Sequence, residues 1–193
     1  MVITSLGNGS FRLQSGETVL LFNPENARLK GDVTLRTLSG ASTEDLLEHA
    51  SEEGMAISFP GEYEAHGMEI SGFGIQGEST EKFIKTAYKV FFEDVTIVFL
   101  GHVSRPLDAT LMEEFSEPDI LILPAAGGHF LEPDVAAKIS KQLEAKVVIP
   151  CFTKNAEPFL SALGRKTDPV EKFVFRQKDI AAEKGRPVVL KEI

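Results

Sequence analysis

The chain has 193 residues, 42% of them hydrophobic and 25% charged, with a formal net charge of −9 at pH 7 and one cysteine. This composition is that of a folded globular protein. It argues against a membrane partner, a nucleic-acid partner and an internal disulfide, because no apolar run reaches about 18 residues, basic residues are in deficit and a second cysteine is lacking. We therefore expect one cytoplasmic domain that covers residues 1–193.

The first part of the chain predicts a series of short strands. Turns containing glycine separate the first three, and alternating or β-branched residues mark those that follow. The predicted strands cover residues 2–6, 11–13, 18–22, 32–38, 57–59, 62–64, 68–75, 86–93 and 96–100. Residues 42–45 resemble a helix start, since acidic side chains favour the positive end of the helix dipole.

The second part alternates between helices and buried strands. Pro106 and Pro133 open predicted helices whose apolar residues recur every three or four positions. Strands are predicted over residues 119–123, 146–150, 170–175 and 187–190, and a short helix over residues 156–163. Strands that lead into strand–helix alternation predict an α/β fold of four layers in the order αββα, with two packed sheets and helices outside.

Six connecting segments carry a resemblance to a known family. They are residues 1–13, 22–25, 60–64, 100–103, 119–128 and 148–152. In this order along the chain they resemble the metallo-β-lactamase superfamily, in particular its small single-domain hydrolases similar to ascorbate-6-phosphate lactonase. The resemblance implies a four-layer αββα sandwich of metallo-β-lactamase type, with a site on the loops that follow the strands.

The positions that hold zinc in this family carry other residues here. Active members bind zinc through a Thr-His-x-His-x-Asp-His motif, a further His, a bridging Asp and a last His. In this chain Thr37 is followed by Leu-Ser-Gly-Ala-Ser, the Asp position carries His102, the last His position carries Phe152 and a turn histidine is replaced by Asn8. Because zinc needs at least three protein ligands, the departures imply no zinc, no other cofactor and no metal-binding residue.

These replacements favour a catalytically degenerate metallo-β-lactamase-fold protein. It would act as a binding or interaction partner, either of another protein or of a second copy of the chain. The former site would remain as a binding cleft formed by Asn8, Asn23, Leu38, His102, His129 and Phe152. Ten acidic residues and no lysine or arginine lie between Thr37 and Glu81, and they form either a solvated surface or a face for a basic partner.

The alternative is a metal-dependent hydrolase of the same superfamily with an altered site. His102 and His129 follow strands at the edge that carries the active site in relatives, so with Asn8 or Asn23 they could share a metal ion. Cys151 could act as a nucleophile if His102 lowered the pKa of its thiol, or it could be a small buried hydrophobe. The candidate catalytic residues are therefore His102, His129 and Cys151.

Overall fold

The computed structural model of the chain describes residues 1–26, 28–41 and 54–192. The strands in these ranges are β1 (Val2–Gly7), β2 (Ser10–Ser15), β3 (Thr18–Phe22), β4 (Val33–Leu35), β5 (Leu38–Gly40), β6 (Met55–Ile57), β7 (Gly61–Ala65), β8 (Met68–Gly74), β9 (Phe83–Phe92), β10 (Val95–Phe99), β11 (Ile120–Pro124), β12 (Val147–Cys151), β13 (Phe173–Val174) and β14 (Arg186–Pro187). The helices are α1 (Ala109–Glu114), α2 (Pro133–Gln142), α3 (Glu157–Leu163) and α4 (Gln177–Ile180). In the described part of the chain, no helix is long and apolar enough to cross a membrane.

The strands form two sheets that pack against each other. The six-stranded sheet has the order β13-β1-β2-β3-β4-β6. The eight-stranded sheet has the order β14-β12-β11-β10-β9-β8-β7, with β5 paired to β9 beside this path. Strands β10, β11, β12 and β14 are parallel neighbours. Parallel strands need crossover connections, and α1 supplies the one between β10 and β11 while α2 supplies the next.

Alternating side chains create two apolar layers, one on each face of the larger sheet. In β11, Ile122 belongs to the core between the sheets, whereas its neighbour Leu121 packs in the layer that holds the helices. In the inter-sheet core the ring centroids of Phe22 and Phe99 lie 4.6 Å apart. The predicted α/β fold is thus confirmed in its two stacked sheets and in the helical layer outside the larger one.

The observed elements differ from the predicted ones at a sheet switch, at a helix start and at three edge strands. In place of residues 57–59, 170–175 and 187–190, the edge strands are β6, β13 and β14 with the bounds given above. Residues 32–38, predicted as one strand, contain parts of two. β4 pairs with β3 and β6 in the smaller sheet, whereas β5 pairs with β9 of the larger one, because the chain crosses between the sheets at residues 36–37. The helix predicted from Pro106 begins after Asp108, whose Oδ1 accepts a hydrogen bond from the Leu111 N–H at 2.9 Å. The helix start predicted at residues 42–45 lies outside the described residues.

Candidate functional site

Loops that follow strands of both sheets meet at one edge of the molecule. The parallel strands β10, β11 and β12 end together and are followed by loops that carry His102, Phe130 and Phe152. In the smaller sheet β3 and β4 are also parallel, and Asn23 and Thr37 follow them. A contact between the Thr37 and His102 side chains joins the two groups of loops. The candidate site is built on this junction.

His102 is fixed through one ring nitrogen. Its Nδ1 lies 2.7 Å from Thr37 Oγ1. Asn23 orients Thr37 in turn, because the Thr37 backbone N–H donates to Asn23 Oδ1 at 2.8 Å and Asn23 Nδ2 donates to Thr37 Oγ1 at 2.9 Å. The backbone N–H of Asn23 donates to the Leu35 carbonyl, which ties the loop after β3 to the end of β4. Residues of the smaller sheet therefore position an imidazole that belongs to the larger one.

Gly101 allows Thr37 and His102 to come this close. Its φ is +58°, a left-handed conformation that residues with a Cβ atom rarely adopt. A Cβ built on Gly101 would overlap with the Thr37 side chain. The glycine that precedes His102 is thus required twice, for the turn of the backbone and for the contact between the loops.

Two phenylalanines lie against the other side of His102. The centroid of its ring is 4.8 Å from that of Phe152 and 6.0 Å from that of Phe130. The two phenyl rings stack on each other with centroids 4.3 Å apart. A Cβ built on Gly9 would overlap with the Phe152 ring, so this glycine lets the ring lie against the turn between β1 and β2. One side of the site is therefore an aromatic wall.

The imidazole of His102 is neutral near pH 7. Burial lowers its pKa from 6.5 to about 4, and the positive charge of Lys85 acts in the same direction. A neutral imidazole keeps one nitrogen lone pair, which can accept a proton or bind a metal ion. The site thus holds a histidine that is neutral over the physiological pH range.

Glu78 anchors the loop that carries His102. Its side chain is 4% exposed, and its carboxylate accepts hydrogen bonds from the backbone N–H groups of Ser104 and Arg105, from Ser104 Oγ and from Lys85 Nζ. Burial raises the pKa of this carboxyl, but the hydrogen bonds from Lys85 and Ser104 outweigh burial and hold the pKa below 4.5. Glu78 is therefore ionised, and it ties the turn after β8 to β9 and to the loop after β10.

Two adjoining cavities open at the site. The larger, of about 470 Å³, is lined by Leu38, Ser39, Gly40, Phe83, Lys85, His102, His129 and Phe130. The smaller, of about 210 Å³, is lined by Asn8, Asn23, Glu25, Arg36, Leu38 and His102. Since Leu38 and His102 line both, the imidazole stands at their boundary. A groove of similar volume, about 460 Å³, lies beside α2 and α3 and contains none of these residues.

The structure brings the residues of the predicted cleft to this edge. Around the two cavities lie Asn8, Asn23, Leu38, His102 and His129, while Phe152 contacts the His102 ring from the side. His129 is exposed. Asn8 is exposed too, and its Nδ2 donates to Glu25 Oε2 at 3.2 Å. Their placement is now known, and their roles in binding or catalysis stay predictions.

Cys151 lies in the core between the two sheets. It is 4% exposed, and burial raises the pKa of its thiol well above the usual range. Because the thiolate is the nucleophile, a thiol held in its protonated form has little reactivity. The position of Cys151 therefore favours the interpretation as a small buried hydrophobe over a catalytic role.

Several residues of the site were not found from the sequence. Phe83 and Lys85 lie in the first part of β9, ahead of residues 86–93 that were predicted as the strand. Glu78 gave no signal, because its partners are distant in sequence. The adjacency of Phe130 to His129 was the one available indication of the aromatic wall.

A metal ion is the cofactor that the resemblance would supply, so the fit of the present residues matters. Among residues 1–26, 28–41 and 54–192, no group of three His, Cys, Asp or Glu side chains could hold a metal ion. Zinc needs at least three protein ligands, so the described residues do not form a zinc site by themselves. Residues 42–53, outside this part, include His49 and five acidic residues in the sequence.

The fold and the loops at this edge define a domain of the metallo-β-lactamase type, and comparison with known proteins agrees. The family model described as β-lactamase superfamily domain matches residues 2–152. A protein named UPF0173 metal-dependent hydrolase from Ruegeria sp. strain TM1040 is 30% identical, with 80% of this chain and 86% of that protein covered. A protein of the same designation from Ruegeria pomeroyi is 29% identical with equal coverage. The chain belongs to the β-lactamase superfamily.

Solved structures share the fold over almost the whole chain. A protein from Thermotoga maritima, described as a Zn-dependent hydrolase of the metallo-β-lactamase superfamily, has a TM-score of 0.77 and 22% identity, and the match covers 99% of this chain and 98% of that one. The metallo-β-lactamase fold protein YhfI from Bacillus subtilis has a TM-score of 0.66 and 11% identity, with 99% and 96% covered. At these identities the two structures show the fold alone.

The prediction of a catalytically degenerate protein that uses no cofactor is wrong. The relatives at 30% and 29% identity are named metal-dependent hydrolases, which supports the alternative prediction instead. The error lies in the comparison of zinc-ligand positions one by one. Those positions show whether the usual zinc-binding residues are present. They do not show whether a chain of this family carries out hydrolysis with different residues.

Proposed function

We propose that the chain is a hydrolase and that it acts where the two cavities meet at His102. The observation that carries the proposal is the neutral imidazole of His102, fixed through Nδ1 and placed at the boundary of both cavities. The names of the two relatives support hydrolysis as the reaction class. His129 lines the larger cavity and offers a second imidazole.

In this proposal His102 moves the proton that hydrolysis requires. The attacking water must lose a proton and the leaving group must gain one. When the Thr37 hydroxyl donates to Asn23 Oδ1 and accepts the Nδ1–H of His102, the lone pair of Nε2 stays available. Within the described residues no hydrogen bond reaches Nε2. His102 then takes the proton of water at Nε2 and returns it to the leaving group, while Thr37 and Asn23 hold the ring.

Metal dependence is measured in the same assays. The names of the relatives imply a metal ion, whereas the described residues do not complete a set of three ligands. His102 transfers the proton and Thr37 and Asn23 orient its ring, so no step passes through a metal ion. The assays therefore compare protein as purified, protein treated with a chelator and protein supplied with Zn²⁺ or Mn²⁺.

The experiment is an assay of ester, lactone and phosphoester hydrolysis with His102→Gln as the test variant. We expect the wild type to hydrolyse at least one class and the variant to lose about 100-fold or more in kcat/KM. His66→Asn is the matched control, since His66 is exposed in a turn with φ +50° that asparagine tolerates. Wild type without activity under every metal condition, or activity that survives His102→Gln, would overturn the proposal.

A further inference from the structure

The two cavities at His102 differ in chemistry. The larger is walled by the apolar side chains of Leu38, Phe83 and Phe130. Its lysine, Lys85, is bound to Glu78 at 2.7 Å, so this ammonium group already has its counter-charge. A cavity of about 470 Å³ lies in the usual range of small-molecule sites. It therefore suits an apolar group of a small molecule.

Leu38 makes the apolar character of the larger cavity stand out. It is 41% exposed, although it belongs to a strand and lies beside half-buried aromatic side chains. Its neighbour Ser39 is buried, as expected where successive side chains of a strand point to opposite faces. An apolar ligand that covered Leu38 would remove this surface from water, and the gain would grow with the apolar area buried.

The smaller cavity is polar. Besides Leu38 and His102 it is lined by two asparagines, a carboxylate and a guanidinium group, from Asn8, Asn23, Glu25 and Arg36. Asn8 donates to Glu25, and Arg36 donates to the Pro24 carbonyl at 3.1 Å. One carboxylate and one guanidinium group in the same lining balance each other in charge, which favours a neutral hydrogen-bonding group, such as a hydroxyl or an amide, over an anion.

We infer that the site takes a small amphiphilic substrate, with its apolar group against Leu38, Phe83 and Phe130 and its neutral polar group toward Asn8 and Glu25. The bond to be hydrolysed then lies between the two groups, at the imidazole that lines both cavities. The role of this amphiphile as a substrate rests on the proposed hydrolase function. The binding of an amphiphile across the two cavities does not, and it is measured separately.

The test uses 1-O-alkyl glycerol ethers, which combine an alkyl chain with a neutral diol and contain no bond that a hydrolase of esters cleaves. Calorimetric titration of the C2, C4, C6 and C8 ethers, below their micelle concentrations, is expected to show affinity rising about two- to fourfold per methylene group. Affinity that does not depend on chain length would overturn the inference.

Two variants assign the halves of the ligand to the two cavities. Leu38→Ser should weaken binding of the C8 ether about tenfold, whereas Leu29→Ser, at 38% exposure and in neither cavity, should leave it unchanged. Asn8→Gly keeps the turn, where φ is +47°, and should weaken binding about three- to tenfold by removing the amide. Equal effects of Leu38→Ser and Leu29→Ser would also overturn the inference.

The two proposals fail separately. Chain-length-dependent binding without hydrolysis of any substrate class would remove the hydrolase function and leave the amphiphile site in place. Hydrolysis at His102 with no chain-length preference among alkyl esters, together with flat binding of the ethers, would remove the amphiphile site and keep the hydrolase.

Discussion

Thr37 contacts Asn23, which precedes it, and His102, which follows it by a long stretch of chain. The absence of a side chain at Gly101 allows the loop of His102 to approach Thr37. The Thr37 side chain is bonded to both Asn23 and His102, and a Cβ on Gly101 would overlap with it. Relief of such an overlap must move Thr37 or the loop that carries His102. Either movement changes where the imidazole lies relative to the two cavities.

We therefore predict that Gly101→Ala lowers both stability and hydrolysis. The expected loss in free energy of unfolding is about 2–4 kcal/mol, from left-handed strain and from the overlap together. Gly16→Ala is the matched control, because φ is +56° there and nothing lies within 4 Å of a Cβ. That variant should lose only about 1 kcal/mol. Equal losses in urea denaturation would show that the contact with Thr37 is not close.

His102 also makes stability depend on pH. Its pKa is about 4 in the folded chain and near 6.5 in the unfolded chain. The unfolded chain therefore binds more protons between pH 4 and pH 6.5. The titration of His102 therefore leaves the free energy of unfolding unchanged well above pH 6.5 and reduces it as the pH falls toward 4. Between pH 7.5 and pH 5 this loss comes to about 2 kcal/mol.

The prediction is that His102→Gln removes this part of the acid sensitivity. Urea denaturation at pH 7.5 and pH 5 should show a smaller drop in unfolding free energy for His102→Gln than for the wild type, by about 2 kcal/mol. His66→Asn should retain the full drop in the free energy of unfolding, because the side chain of His66 is exposed. An identical drop in wild type and His102→Gln would contradict the buried, neutral imidazole.

At the scale of single residues, the sequence predicted which residues lie in the cleft better than it predicted their hydrogen-bond partners. The resemblance places Asn8, Leu38, His102 and Phe152 in one cleft because it assigns their loops to one edge. The bond between His102 and Thr37 was not predicted, since it joins loops of different sheets and depends on the space at Gly101. Short-range patterns carry no information on such contacts.

At the scale of elements, Glu78 joins three segments that the sequence keeps apart. Its carboxylate binds the loop at Ser104 and Arg105 and the start of β9 at Lys85. The turn that holds Glu78 is itself closed by bonds from the Glu78 and Ser79 N–H groups to the Ile75 carbonyl. A neutral acid or amide at this position would keep one fully accepting oxygen, so about half of the four donors would lose their acceptor.

We predict that Glu78→Gln lowers the free energy of unfolding by about 2 kcal/mol at pH 7, since an amide cannot accept at both of its ends. The wild-type contribution is present above pH 4.5 and is lost as the pH falls through the lowered pKa of Glu78. Glu114→Gln is the control, because the ion pair of Glu114 with Lys89 is exposed and 3.6 Å long. A similar loss for both variants, measured by urea denaturation, would contradict the anchoring role.

Periodicity predicted the central strands β11 and β12 to within one residue, whereas the edge strands β6 and β14 overlap with their predicted ranges at one residue each. The parallel strands β11 and β12 read as continuous apolar runs, as expected for strands buried on both faces. The switch at residues 36–37 could not be predicted in this way, because β4 and β5 are both short and their partners lie in different sheets. Pairing partners are a property of the whole sheet.

At the scale of the molecule, β11 belongs to both apolar layers. Ile122 and Leu121 are each fully buried, the first between the sheets and the second in the layer of the helices. A void on either face therefore weakens the same strand. The sequence predicted one domain over residues 1–193, and this shared strand gives a physical reason why the two layers should unfold together.

The last prediction tests that coupling with Leu121→Ala and Ile122→Ala. Each should lower the free energy of unfolding by about 2–5 kcal/mol, through lost burial and the cavity that remains. Tyr88 lies in the inter-sheet core, so its fluorescence, in a Tyr63→Phe background, reports on that layer, while circular dichroism reports on the whole chain. For one cooperative domain both signals shift by the same amount in both variants. If Leu121→Ala moved the dichroism transition and left that of Tyr88 in place, the layers would unfold separately and the chain would not behave as one domain.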